Sequence, residues 1–264
     1  MLIRPSPKVA HEWGKPAVVS KDLTRVAKTN NRKIQVRELP GSSLITQFGK
    51  GIFDGLDFTP DNRYVVAACS RELHVFETDT GKKCYSAKLR YGQCKTLATD
   101  GIHVIMGTTD EFVTVLTFAE LVLVSTLYVP DVTCVDICGN MFAAASNDDT
   151  VSMWTTDTFS LRRMCSFQSY ISAVAITSYY VIVRCWDRET HILDRRTGRT
   201  LRTLQSLHRE YNSLRVRDNL CIDLVLDGKV WECWLTASSV FTFTKRLNDG
   251  DRRIATELLR VLKP

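Results

Sequence analysis

One short pattern recurs along the whole of this chain of 264 residues. An apolar residue, a residue of any kind and a second apolar residue are followed by a larger one. The larger position is Arg37, Phe76, Leu116, Trp154, Leu193 and Trp234, so the intervals are 39, 40, 38, 39 and 41 residues. Nearly equal spacing across a chain limits its folds before any single residue is weighed. Each repeat must be one small unit that buries its faces against copies of itself.

Residues 56–89 show what the unit contains. Leu56-Asp57-Phe58 runs into Pro60-Asp61-Asn62, where Pro pre-sets a turn and Asp and Asn bond their own backbone. Tyr64 to Cys69 is an unbroken run of β-branched, aromatic and small residues, as a strand covered on both faces would be. Leu73-His74-Val75-Phe76 alternates like a half-buried strand. Thr78-Asp79-Thr80-Gly81 turns again, and Cys84 to Leu89 makes a fourth strand. The other repeats keep step. A strand of small and β-branched residues precedes each large position, as at Met141 to Ser146 and Tyr179 to Arg184. A turn and an alternating strand follow it, as at Leu161 to Phe167.

Four strands in a period near 40 predict an all-β fold, a β-propeller of four-stranded antiparallel blades. One such sheet cannot bury both faces alone, and a ring of them can. Six repeats are recognisable. A seven-bladed ring is preferred over six, with residues 1–15 and 246–264 together supplying an irregular seventh blade. The chain therefore divides into a basic segment 1–15, the repeats 16–245 and a tail 246–264. In the tail, Ile254 to Leu262 reads as a short helix or a closing strand.

Residues 56–89 and 141–154 resemble the WD-repeat (WD40) family. In the second stretch, Trp154 takes the family's Trp position, and Asp148 the turn aspartate that would hydrogen-bond within the blade. The Asp after Trp survives as Glu38, Glu77 and Asp194. No Gly-His pair opens any repeat. The family's His–Ser/Thr–Trp–Asp tetrad is therefore incomplete, and packing and strand ladders are expected to hold the blades. The resemblance implies a ring whose loops bind partners on its narrow upper face.

Composition excludes several classes. No run approaches 18 apolar residues, so no transmembrane helix is expected, and the N-terminus shows no signal peptide. The nine cysteines include no Cys-x-x-Cys, and most fall in or beside strands. They read as small buried residues of a reducing compartment, cytoplasmic or nuclear. The net charge of +6 is unevenly spread. Residues 1–37 carry nine Lys/Arg against two Asp/Glu, residues 38–160 eight against sixteen, and residues 161–217 eleven arginines against four acids. Such sectors suit different partners.

Motifs with catalytic associations dissolve on inspection. Asp79-Thr80-Gly81 spells the aspartic-protease triplet, which needs a second copy facing it. None exists, and the equivalent residues of another repeat are Arg196-Thr197-Gly198. Gly49-Lys50-Gly51 lacks the Lys-Ser/Thr pair of a phosphate loop and reads as the connection between the first two blades. The histidines lie in different repeats, with His74 and His191 at neighbouring positions of third strands. No metal ligands at short spacing and no cofactor are expected.

The expected function is a non-catalytic protein–protein interaction scaffold, working as part of a complex. Its partner-binding residues would be loop residues of the upper face: Arg32, Lys50, Arg71, Tyr91, Tyr170, Trp186, Arg188, Arg209 and Tyr211. Trp186, beside Arg184 and Arg188, reads either as an interface anchor among them or as a ring that caps the blade edge. One alternative is the substrate-receptor part of a ubiquitin ligase, similar to F-box/WD proteins, although no F-box-like helical segment precedes the repeats. Another is RNA or phosphopeptide binding by the arginine-rich sector 161–217. Against it, Arg195, Arg196, Arg199 and Arg202 fall on an outer turn and strand, where long cations cover an edge.

Overall fold

The computed structural model describes residues 17–22, 24–38, 43–187 and 189–205, and the strands at 213–217, 221–226, 229–235 and 240–245. Residues 1–15 and 246–264, the segments expected to build a seventh blade, lie outside the described residues. Among the described residues there is no helix, and the strands form six four-stranded antiparallel sheets, each from four consecutive strands. Sheet one is β1 (Ala17–Val19), β2 (Arg25–Asn30), β3 (Lys33–Glu38) and β4 (Leu44–Phe48). Sheet two is β5 (Gly55–Phe58), β6 (Tyr64–Cys69), β7 (Glu72–Glu77) and β8 (Lys83–Lys88). Sheet three is β9 (Cys94–Thr99), β10 (His103–Thr108), β11 (Phe112–Thr117) and β12 (Leu123–Tyr128). Sheet four is β13 (Val132–Cys138), β14 (Met141–Ser146), β15 (Thr150–Thr155) and β16 (Leu161–Ser166). Sheet five is β17 (Ile171–Ile176), β18 (Tyr180–Cys185), β19 (Glu189–Asp194) and β20 (Thr200–Gln205). Sheet six is β21 (Ser213–Arg217), β22 (Cys221–Leu226), β23 (Lys229–Leu235) and β24 (Val240–Lys245).

The repeating residue of the sequence has a geometric counterpart. The register between third and fourth strands slips by one residue at Arg37, Phe76, Leu116, Trp154 and Leu193. Sheet six slips at Trp234 as well. A bulge bends the strand and raises its twist, so sheets two to five each bend at the same point and present the large side chain to the preceding sheet. Phe76, Leu116, Trp154 and Leu193 accordingly fall in four separate apolar clusters. Each cluster joins two successive sheets, from one–two to four–five. Trp154 lies nearly parallel on Phe142, with ring centroids 5.3 Å apart.

Burial follows strand order. The first strands of successive sheets pack against one another. The second strands β6, β10, β14 and β18 are buried on both faces, completely so in β18. The fourth strands form the outer edge, and β8 and β16 are almost wholly exposed. Gly107 in β10 is required by this crowding. A Cβ there would stand 2.5 Å from Val132 of the next sheet and 2.7 Å from Thr96.

Ladders and packing are not the whole of the cohesion. Buried Asp57 of β5 accepts from the backbone N–H of Thr99 in β9 at 2.9 Å. Asp136 of β13 accepts from Ile176 N–H in β17 at 2.8 Å. Thr96 Oγ1 accepts from Val135 N–H at 3.3 Å. First strands of neighbouring sheets are thus cross-linked by polar side chains around the axis. At the far end of sheet one, Lys21 Nζ donates to the carbonyl of Ile137 in sheet four, 3.3 Å away.

Candidate partner-binding face

Antiparallel strands divide the turns between two ends. Turns joining strands one to two and three to four lie at the lower end. Turns joining two to three, and the connections between sheets, lie at the upper end. A backbone bond recurs there. The N–H of a connecting residue donates to the carbonyl of the two-to-three turn: Gly51 to Arg32, Leu89 to Arg71, Val129 to Glu111 and Phe167 to Asp149, at 2.8 to 2.9 Å. Each connection is therefore held beside its own sheet's turn, and the side chains of both project from one rigid rim.

The six described candidates all sit on that rim. Arg32 and Arg71 occupy two-to-three turns, Lys50, Tyr91 and Tyr170 lie in connections, and Trp186 follows β18. Arg188, Arg209 and Tyr211 lie outside the described residues. Trp186 is 71% exposed, although its backbone is fixed by a 2.9 Å bond from its N–H to the Tyr170 carbonyl. Tyr170 meets its ring edge-on, centroids 5.3 Å apart. Together they form an exposed aromatic ledge. Burial, with the Asp131 carboxylate nearby, pushes the Tyr170 phenol above its usual value and keeps it a neutral hydroxyl. Tyr91 is placed differently. It packs on Phe112, which in turn meets Tyr128 edge-on, and belongs to the rim between sheets two and three.

The rim also has an acidic half that the sequence reading left out. At the turn position of Arg32 and Arg71, sheets three and four carry Glu111 and Asp149, both with left-handed φ near 60°. Asp110 and Asp148 are their sequence neighbours, Asp131 lies in the connection before β13 and Asp187 follows β18, and all four are exposed. The repeat spacing that links Arg71 to Glu111 and Asp149 was the signal that could have found them. Asp131 is bonded to Lys95 and, at 2.7 Å, to Asn147 Nδ2, and these partners hold its carboxyl below the usual range. Asp148 accepts from the Thr150 N–H and hydroxyl, the intrablade turn bond expected of it.

Several expectations need correction. Arg195 does not cover an edge. It is buried at the lower end, where its Nη1 donates to Thr177 O at 2.9 Å and its Nη2 to Cys138 O at 2.9 Å and Asn140 Oδ1 at 2.7 Å. It therefore staples sheet five to sheet four, and burial lowers its pKa. Arg184 is also fully buried, so the arginine sector offers fewer free cations than its composition suggests. Cys84 is exposed rather than buried because it falls at the bulge in an edge strand. His74 and His191 occupy the same register position, each two residues before the bulge.

Asp79-Thr80-Gly81 is a lower-end turn, closed by Gly81 N–H on Glu77 O at 2.8 Å with Gly81 at φ +70°. His74 approaches Glu72, His103 approaches Asp100 and His191 approaches Glu189, each on its own sheet at 3.4 to 3.5 Å. Among the described residues no group of three or more His, Cys, Asp or Glu could hold a metal. Among the described residues no helix is long and apolar enough to cross a membrane.

The bulged four-stranded sheets, packed face to face through their first strands, define a β-propeller. Its fold is that of WD40-repeat proteins. The structure is similar to the WD40 repeats of RRP9, with a TM-score of 0.75 and 13% sequence identity over 92% of this chain and 84% of that one. It is also similar to U3-55K, with a TM-score of 0.73 and 14% identity over 92% and 87%. No family model matches the sequence, and no curated protein matches it.

Proposed function

We propose that this protein is a non-catalytic scaffold that holds a protein or peptide partner on its upper rim. The observation that carries the reading is the Trp186–Tyr170 ledge. A large aromatic 71% exposed on a fixed backbone, flanked by charged turns, has the composition of an interface anchor. Arg32, Lys50 and Arg71 supply positive charge on one side of the rim, and Glu111 and Asp149 supply negative charge on the other. A partner with both signs of charge would be oriented on it, and a rigid rim limits the ordering cost of binding. Among the described residues no disulfide joins the cysteines, which suits a reducing compartment, cytoplasm or nucleus.

The test is affinity capture with the wild type and a Trp186→Ala, Arg188→Ala double variant. Loss of specific partners from the variant supports the reading, and an unchanged set contradicts it. Capture of ubiquitin-ligase components with the wild type would make the scaffold a substrate receptor.

A second reading rests on a separate observation. Arg163 of β16 lies against Gly198 in the next sheet's turn, so exposed Arg162, Arg163, Arg196 and Arg199 share one outer edge. RNA or phosphopeptide binding there would weaken steeply with salt, and charge reversal at Arg163 and Arg199 would abolish it.

A further inference from the structure

Sheets two and three do not close completely. A cavity of about 390 Å³ lies between them, within the size range of ligand sites. Its wall runs from Lys88, Arg90 and Tyr91 at the upper end to Val122 and Leu123 at the lower end, with Met106, Thr114 and Leu116 as the floor. It therefore follows the six-residue strand β11, a length of roughly 20 Å at about 3.3 Å per residue. An elongated slot of this kind suits an extended chain better than a compact molecule.

Two features say what kind of chain. The Thr114 hydroxyl lies on the floor with no hydrogen-bond partner, and its residue is 5% exposed. A buried hydroxyl without a partner costs stability, so the slot holds an unmet polar contact among apolar walls. At the rim, Lys88 and Arg90 are exposed and form no ion pair among the described residues. The equivalent position in the interface between sheets four and five shows the contrast. There His191 takes the place of Thr114, packs on Phe167 with centroids 5.0 Å apart and bonds Thr203 Oγ1 at 3.0 Å. A ring fills that interface, whereas a short hydroxyl leaves this one open.

We propose that the slot between sheets two and three binds an extended acidic peptide segment. One apolar side chain of the segment enters over Met106 and Leu116. A peptide group bonds Thr114 Oγ1, and carboxylates on the part of the segment that leaves by the upper end pair with Lys88 and Arg90. This site is on the side of the ring and separate from the Trp186 ledge.

The probes are fluorescent heptapeptides with a central Leu or Phe flanked by Asp and Glu, and the same peptides flanked by Lys. Anisotropy titrations use the full chain. Saturable binding of an acidic probe is expected, with affinity falling about tenfold in Lys88→Glu or Arg90→Glu, one lost charge-assisted contact each. Thr114→Met, which fills the slot, should abolish it at an unchanged melting temperature or above. Trp186→Ala should leave it unaltered, so the slot and the ledge succeed or fail separately. No binding of any acidic probe at millimolar concentration would overturn the proposal. So would equal binding of the Lys-flanked probes, retention in Arg90→Glu, or displacement by decanoate as effective as by unlabelled peptide.

Discussion

Sheet five exposes an aromatic side chain at each end, Trp186 above at 71% and Tyr179 below at 60%, yet the surroundings differ. Below, charge is consumed in holding the sheets together. Arg195 staples sheets five and four. Arg25 of sheet one bonds Asp79 of sheet two at 2.7 Å, and Asp22 accepts from Asn62 Nδ2 at 2.6 Å across the same boundary. Above, backbone bonds fix the turns, and the side chains of Arg32, Lys50 and Arg71 project outward. The contrast teaches that burial and bonding, not charge density, separate cohesion from recognition in this ring.

The largest effect should come from the lower staple. Arg195→Ala leaves the buried carbonyls of Thr177 and Cys138 without this donor and should cost about 3 kcal/mol. At this chain length that is a fall in melting temperature of about 6–12 °C by calorimetry. A fall as small as that of a surface variant would erase the distinction between the ends. Asp57→Ala comes next, at about 2 kcal/mol, because the N–H groups of Phe58 and Thr99 lose a buried acceptor. Urea unfolding should show a lower midpoint at the same slope.

Smaller effects sharpen the comparison. Trp186→Ala and Tyr179→Ala should each change stability by less than about 0.5 kcal/mol, so any loss of binding by one of them is not a folding defect. Acid titration should show the smallest effect. Burial opposes ionisation of Asp22, but bonds from Thr24 N–H, Ser20, Asn62 and the Thr24 hydroxyl outweigh it and depress its pKa below 3.8. A depressed carboxylate stabilises the fold above its unfolded pKa, and the contribution disappears as pH falls through the folded value. The difference in melting temperature between wild type and Asp22→Asn should therefore be constant near neutrality and shrink below about pH 3.8.

The repeat was legible because it is enforced at every turn of the ring. A bulge that aims a large side chain at the preceding sheet leaves the same mark at Phe76, Leu116, Trp154 and Leu193, and the buried second strands leave another. Asp79-Thr80-Gly81 could be recognised as a turn for the same reason. The candidate rim was legible in part, since Trp186 breaks the pattern where the loop order predicts exposure. Other features depend on which sheets become neighbours. Arg195 and Arg196 are adjacent and chemically identical, yet one faces the turn of sheet four and the other faces solvent. Thr114 leaves a slot and His191 closes one at the same register position, a difference set by what the preceding sheet presents. Cys84 is exposed because it sits at the bulge of an outer strand, which its own apolar character does not disclose.

The central claim is that partners are held on the upper rim. Its most direct test is quantitative capture of the same partner by wild type, Trp186→Ala and Tyr179→Ala, three proteins of matched stability. The account predicts that Trp186→Ala loses the partner and Tyr179→Ala retains it at the wild-type level. Retention by Trp186→Ala together with loss by Tyr179→Ala would place recognition at the opposite end and contradict it.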